Sequence, residues 1–110
     1  MRIDVRASSA WPHEAVTLAH RRLAFALARF SGRVRALKVR LTDLNGPRGG
    51  LDKHCLVAVH LQWPRRVIVI EDVDADPGVA ITRAAERAGR AVSRAVQAAR
   101  DWRTPKRSSL

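Results

Sequence analysis

The chain has 110 residues, 46% of them hydrophobic, which suits one domain with one core and excludes both two ordinary domains and a disordered chain. Lys and Arg number 21 against 10 Asp and Glu, a formal net charge of +11, and such a surplus favours polyanionic partners, either nucleic acid or an anionic membrane surface. No apolar run approaches the ~18 residues of a membrane helix, the N-terminus lacks the apolar stretch of a secretory signal, and the single cysteine, Cys55, excludes an internal disulfide framework, so a cytoplasmic protein is expected.

Residues 1–7 alternate, with Met1, Ile3, Val5 and Ala7 on one side and Arg2, Asp4 and Arg6 on the other, the period of a half-buried strand. Ser8 to Pro12 break the pattern. Residues 13–30 read as a helix whose inward face is Val16, Ala19, Leu23, Ala26, Leu27 and Phe30, ended by Gly32. Residues 35–42 alternate again, with Leu37, Val39 and Leu41 inward and Lys38, Arg40 and Thr42 outward. Asn45 to Gly50 reads as a loop. A third strand over about 54–63 carries Cys55, Val57, Val59, Leu61 and Trp63 on one face, and Val67 to Ile70 form a fourth. Asp76 is a plausible N-cap and Pro77 a plausible first residue of a last helix that runs to about Arg100 or Trp102, its inward face rich in alanine. The order β-α-β-β-β-α predicts an α/β (α+β) two-layer sandwich, with two helices packed on one face of a four-stranded mixed sheet.

The last helix carries the sharpest functional signal. Arg83, Arg87, Arg90 and Arg94 are spaced by four, three and four, which places them within an arc of roughly 60° over roughly 16 Å of helix, opposite the alanine face. Like charges so close oppose helix formation by about 0.2–0.5 kcal/mol per pair. A solvated helix face is the plain reading of such a run. The net charge and the preference for arginine, whose planar guanidinium pairs bidentately with phosphate, favour RNA binding instead. The first helix and the turn after it add Arg21, Arg22, Arg29 and Arg33 as candidate RNA-binding residues. Leu18 and Phe25, read as outward on the same helix, could stack on bases, meet a partner protein or be ordinary exposed residues.

Several catalytic readings fail on spacing. Asp72, Asp74 and Asp76 open like a calcium loop, but Pro77 stands where glycine is needed and Arg83 where the closing glutamate is needed. A helix cap and counter-charges for the arginines explain this acidic turn better. Cys55 and His54 are strand neighbours that point to opposite faces, so Cys55 reads as a small buried hydrophobe. His13, His20, His54 and His60 show no zinc spacing, and Asn45 to Gly50 lacks the ending of a phosphate loop. No enzyme, metal or cofactor is expected.

In element order, length and basic last helix, the sequence resembles the ribosome hibernation-promoting factor and ribosome-associated inhibitor family, also called sigma-54 modulation proteins, over about residues 1–100. The likeness lies in the opening MRIDVRAS, the helix ending Leu27-Ala28-Arg29-Phe30, and the segment VIVIEDVDADPGVAITRAAERAGRAVSRAV. Ala80-Ile81 fits the family's pair after its acidic turn, and Arg87, Arg90 and Arg94 fall at its basic positions. Asp76-Pro77-Gly78 replaces the family's usual Asp-Met-Tyr, and Ala26 a common lysine. The resemblance implies a short-form factor, with residues 1–102 as a ribosome-binding domain and 103–110 as a disordered basic tail. It implies binding to the 30S subunit through 16S rRNA, occlusion of the tRNA and mRNA sites, and translation inhibition or protection of idle ribosomes under stress by a protein that is monomeric when free. Two alternatives stay open: a general double-stranded RNA-binding module, and a protein–protein regulatory or oligomerising domain that uses Leu18 and Phe25.

Overall fold

The computed structural model describes residues 1–43 and 53–103, so the expected loop at Asn45 to Gly50 and the tail from Thr104 lie outside the described residues. The elements β1 (Arg2–Ala7), α1 (Ala15–Ala26), β2 (Val34–Asp43), β3 (Lys53–Leu61), β4 (Arg66–Asp74) and α2 (Pro77–Arg103) follow one another in the expected order. They build one four-stranded sheet in the order β1-β2-β3-β4. β1 runs parallel to β2, which the intervening helix permits, and the other pairs are antiparallel. α1 packs over β1 and against α2, and α2 covers β3 and β4.

Register sorts the strand residues into two faces. Ile3, Leu37, Val59 and Ile68 share one row, and Val5, Val39, Val57 and Ile70 the next, all belonging to or packed on the core beneath the helices. Asp4, Lys38, Ala58 and Val69 form a row on the opposite, open face. The expected inward residues Leu37, Val39, Leu41, Cys55, Val57, Val59 and Leu61 are all buried. From the helices come Leu23, Leu27 and Ile81, each 1% exposed or less. Burying each such side chain contributes on the order of 1.5–3 kcal/mol. Ala80, Ala84 and Ala88 let α2 lie close on the sheet, since all three are fully buried.

The two helices run side by side in the same direction. A Cβ placed on Gly78 would meet Leu18, and one placed on Gly89 would lie 3.1 Å from the carbonyl oxygen of Ala26. Gly89 thus marks a close approach of α2 to α1. Asp76 caps α2 as expected: its Oδ1 accepts hydrogen bonds from the backbone N–H of Gly78 at 2.8 Å and of Val79 at 3.3 Å.

Several boundaries differ from expectation. α1 gives way at Leu27 to a 3-10 turn, Ala28–Phe30, and Gly32 does not take the left-handed conformation of a helix-ending glycine. Ala15 rather than Val16 starts the buried face of α1, and Leu18, expected to face outward, is half-buried against the core. β3 stops at Leu61, leaving Trp63 in the turn to β4, where the Arg33 guanidinium stacks 4.3 Å over its ring. Met1 and Ala7 are exposed because β1 is an edge strand with little helix above its ends. Trp11, given no role in the sequence, is buried in the core, and its indole Nε1–H donates to the Thr42 carbonyl at 2.9 Å. β4 continues through the acidic segment, so Glu71, Asp72 and Asp74 are strand residues and not a turn.

Candidate nucleic-acid interface

The extension of β4 decides how the arginine stripe is used. Asp72 falls in the inward row with Ala7, Leu41 and Cys55, beneath the first turns of α2. A carboxylate there needs a counter-ion, and Arg83 and Arg87 supply it. Arg83 Nε and Nη2 both donate to Asp72 Oδ1, at 3.0 and 2.7 Å, and Nη2 also reaches Asp74 Oδ2 at 3.1 Å and the Val73 carbonyl at 3.0 Å. Arg87 Nη1 donates to Asp72 Oδ2 at 3.3 Å and to the Glu71 carbonyl. The Asp72 side chain is only 9% exposed inside this clamp. The hydrogen bond to Asp72 raises the Arg83 pKa further above the ordinary guanidinium value. These two arginines fasten α2 to the edge strand.

Arg90 and Arg94 turn the other way. They line a groove of about 600 Å³ between α1 and α2, faced across the seam by Arg22, Phe25 and Arg29. The floor is made of small residues: Ala26, Ala85, Gly89 and Ser93. Among the described residues Arg22, Arg90 and Arg94 form no ion pair, and Arg29 stacks its guanidinium 4.8 Å over Phe30. Glu86 is the single acid on the lining. Four guanidiniums facing one groove without carboxylate partners make a focus of positive potential, able to take phosphates as charge-assisted, bidentate ligands.

The other candidate residues distribute along the same seam. Arg33 borders a second, polar hollow at the C-terminal end of α1, shared with Arg29 and Arg100. Arg21 lies at the opposite end, near Leu18 and the start of α2. Arg100 lines that hollow although the stripe arithmetic passed it over, and Phe25, read from the sequence as outward-facing, lines the groove. Arg100 sits off the arc of the other four, and only the position of α1 shows that its side of α2 continues the seam.

The architecture has a solved counterpart. It is shared with the N-terminal domain of Thermus thermophilus Protein Y. The crystal structure of that domain aligns with a TM-score of 0.62 and 24% sequence identity, covering 84% of this chain and 93% of that one. At this identity the likeness shows the fold. No protein-family model and no curated protein sequence matches the chain.

Two further constellations lie outside the groove. Burial, with Asp72 nearby, pushes the Cys55 thiol up to about 12, so it is a protonated, packed side chain at neutral pH. On the open sheet face, Thr42 Oγ1 lies 3.3 Å from His54 Nδ1, and His54 Nε2 lies 2.8 Å from Glu71 Oε2. This chain links β2, β3 and β4 side by side. It was missed in the sequence because cross-strand partners depend on register. Among the described residues no group of three or more His, Cys, Asp or Glu is placed to hold a metal, and no helix is long and apolar enough to cross a membrane.

Proposed function

We propose that this chain is a ribosome-binding factor of the short hibernation type, which docks the α1–α2 seam on 16S rRNA of the small subunit and holds idle ribosomes inactive. The observation that carries the reading is the convergence of Arg22, Arg29, Arg90 and Arg94 on one groove without carboxylate partners. The family resemblance of the sequence and the fold shared with the Protein Y N-terminal domain support it. The mechanism is electrostatic and steric. Guanidiniums replace the counter-ions condensed on rRNA phosphates, and release of those ions drives association. The body of the sandwich then stands where tRNA and mRNA would pass. No covalent step and no cofactor is required, and the protein works in the cytoplasm as a monomer until it meets a subunit.

The test is co-sedimentation with purified 30S subunits. Arg90→Glu with Arg94→Glu should abolish pelleting at moderate salt while circular dichroism and Tm stay those of the wild type. Pelleting by a folded double variant at that salt would refute the reading.

A further inference from the structure

Phe25 has no role in the fold. It is 83% exposed, in a helix whose neighbouring Leu23 and Leu27 are fully buried. A lone exposed aromatic is unremarkable, but the surroundings of this one are not. Arg22 precedes it by three residues, on its own face of α1, and Arg29, in the 3-10 turn that follows α1, lines the same groove. Across the seam stand Arg90 and Arg94. Between them the floor is cut down to Gly89 and Ser93, where α2 passes close to α1, and the ring stands largely uncovered. The groove of about 600 Å³ is within the range of small-ligand sites and has room for a nucleobase.

From this placement we infer that the seam takes single-stranded RNA with a base stacked on Phe25, the flanking phosphates being held by the arginine pairs on either side. The inference rests on the nucleic-acid reading of the groove and names the form of RNA that it accepts. In a duplex the base faces are already stacked on one another, and a protein meets only base edges, 2′-hydroxyls and phosphates. A protruding aromatic ring then has nothing to cover. In a loop, bulge or single strand the bases are available, and stacking on an aromatic side chain is tolerant of sequence because every base has a π-face. A protein partner is the less suitable occupant. Four unpaired guanidiniums surround the ring, and an ordinary protein surface would have to bury them without the regular array of anions that a polynucleotide supplies.

Fluorescence anisotropy with a labelled single-stranded RNA of about 12 nucleotides, and with the duplex of the same sequence, tests the inference. The single strand should bind at least about tenfold more tightly than the duplex. Phe25→Ala should weaken single-strand binding by about 5- to 150-fold, the usual effect of losing one stacked base, with no change in salt dependence. Phe25→Trp should retain affinity and Phe25→Leu should not, because an apolar side chain without a π-face cannot replace the stack. Equal affinity for strand and duplex, or Phe25→Ala binding like the wild type, would overturn the inference. So would light scattering that shows a dimer which Phe25→Ala dissolves, since Phe25 would then serve a protein interface. The ribosome reading fails separately. Phe25-dependent binding to the short strand without 30S co-sedimentation would remove the ribosome and keep the stack. Arg90- and Arg94-dependent 30S binding that is indifferent to Phe25 would do the reverse.

Discussion

Two double substitutions separate local chemistry from bulk charge. Arg83→Ala with Arg87→Ala, and Arg90→Ala with Arg94→Ala, each lower the formal charge of +11 by two. A protein that attracts RNA by net charge alone would respond to both equally. The structure assigns the first pair to Asp72 and Asp74 and the second to the groove. Each phosphate contact contributes about 0.7–0.9 to the slope of log affinity against log salt, so losing Arg90 and Arg94 should flatten that slope by about 1.4–1.8. Between about 50 and 200 mM salt, the wild-type advantage over this variant should therefore shrink by about seven- to twelvefold. Its Tm should barely move, because surface substitutions away from packed features are usually within about 0.5 kcal/mol. The Arg83/Arg87 variant should behave in the opposite manner. Its salt slope stays close to the wild-type value, while its Tm falls by several degrees, because Asp72, on the inward row of the sheet, loses both arginine counter-ions. Filter binding to 30S subunits over a salt series, with a thermal melt of each variant, measures both quantities. Equal flattening by the two pairs, or a stable Arg83/Arg87 variant, would refute the division of the stripe.

The Cys55 thiol sits at about 12 in the folded chain against 9.0 when unconstrained, so the native state holds its proton longer than the unfolded state. Stability should be unaffected below pH 9 and then fall as pH rises toward 12, by up to about 1.4 kcal/mol per pH unit; urea titrations of the wild type and Cys55→Val should diverge only in that range. The same thiol should resist a thiol-specific reagent at neutral pH until the protein is unfolded, and rapid native labelling would contradict its packing. Trp11→Phe removes the buried donor to the Thr42 carbonyl and should cost about 1–3 kcal/mol in urea unfolding, a loss that unchanged stability would disprove. Gly89→Val must push against the Ala26 carbonyl and should cost about 1–3 kcal/mol by thermal melt, whereas in Gly89→Ala the same contact at 3.1 Å offsets a helix-propensity gain of up to about 1 kcal/mol.

The layered architecture was legible in the sequence because its signals are local. Period-two runs gave β1 and β2, the Asp76-Pro77 start gave α2, and alanines at helical spacing gave the face on which α2 lies. Residues that depend on partners distant in the chain were less legible. The valines and isoleucines of 67–70 announce a strand, but its continuation through Glu71, Asp72 and Asp74 reads as a polar turn until the arginines of α2 are seen to neutralise it. Helical spacing puts Arg83, Arg87, Arg90 and Arg94 along one stripe of α2. Spacing alone carries no information about what each guanidinium meets, so the stripe looked uniform. Trp11 escaped notice because it stands in a segment with no periodicity, and its role comes from a carbonyl 31 residues away. Phe25 was recognisable as outward-facing, but the groove in which it stands exists only once the two helices are side by side.

The clamp on Asp72 also bears on the timing of order. Arg83 and Arg87 pin the early turns of α2 to the end of the sheet, while Gly89 seats the next turn against α1. Arg90 and Arg94 therefore project from a helix that is already immobilised, Arg22 from the one it is packed against, and Arg29 from the 3-10 turn that ends it. Their backbone positions are set before any ligand arrives, so association restricts side-chain rotamers and leaves the relative placement of the two helices unchanged. A groove preorganised in this way loses less conformational entropy on binding than the same arginines carried on a mobile loop would.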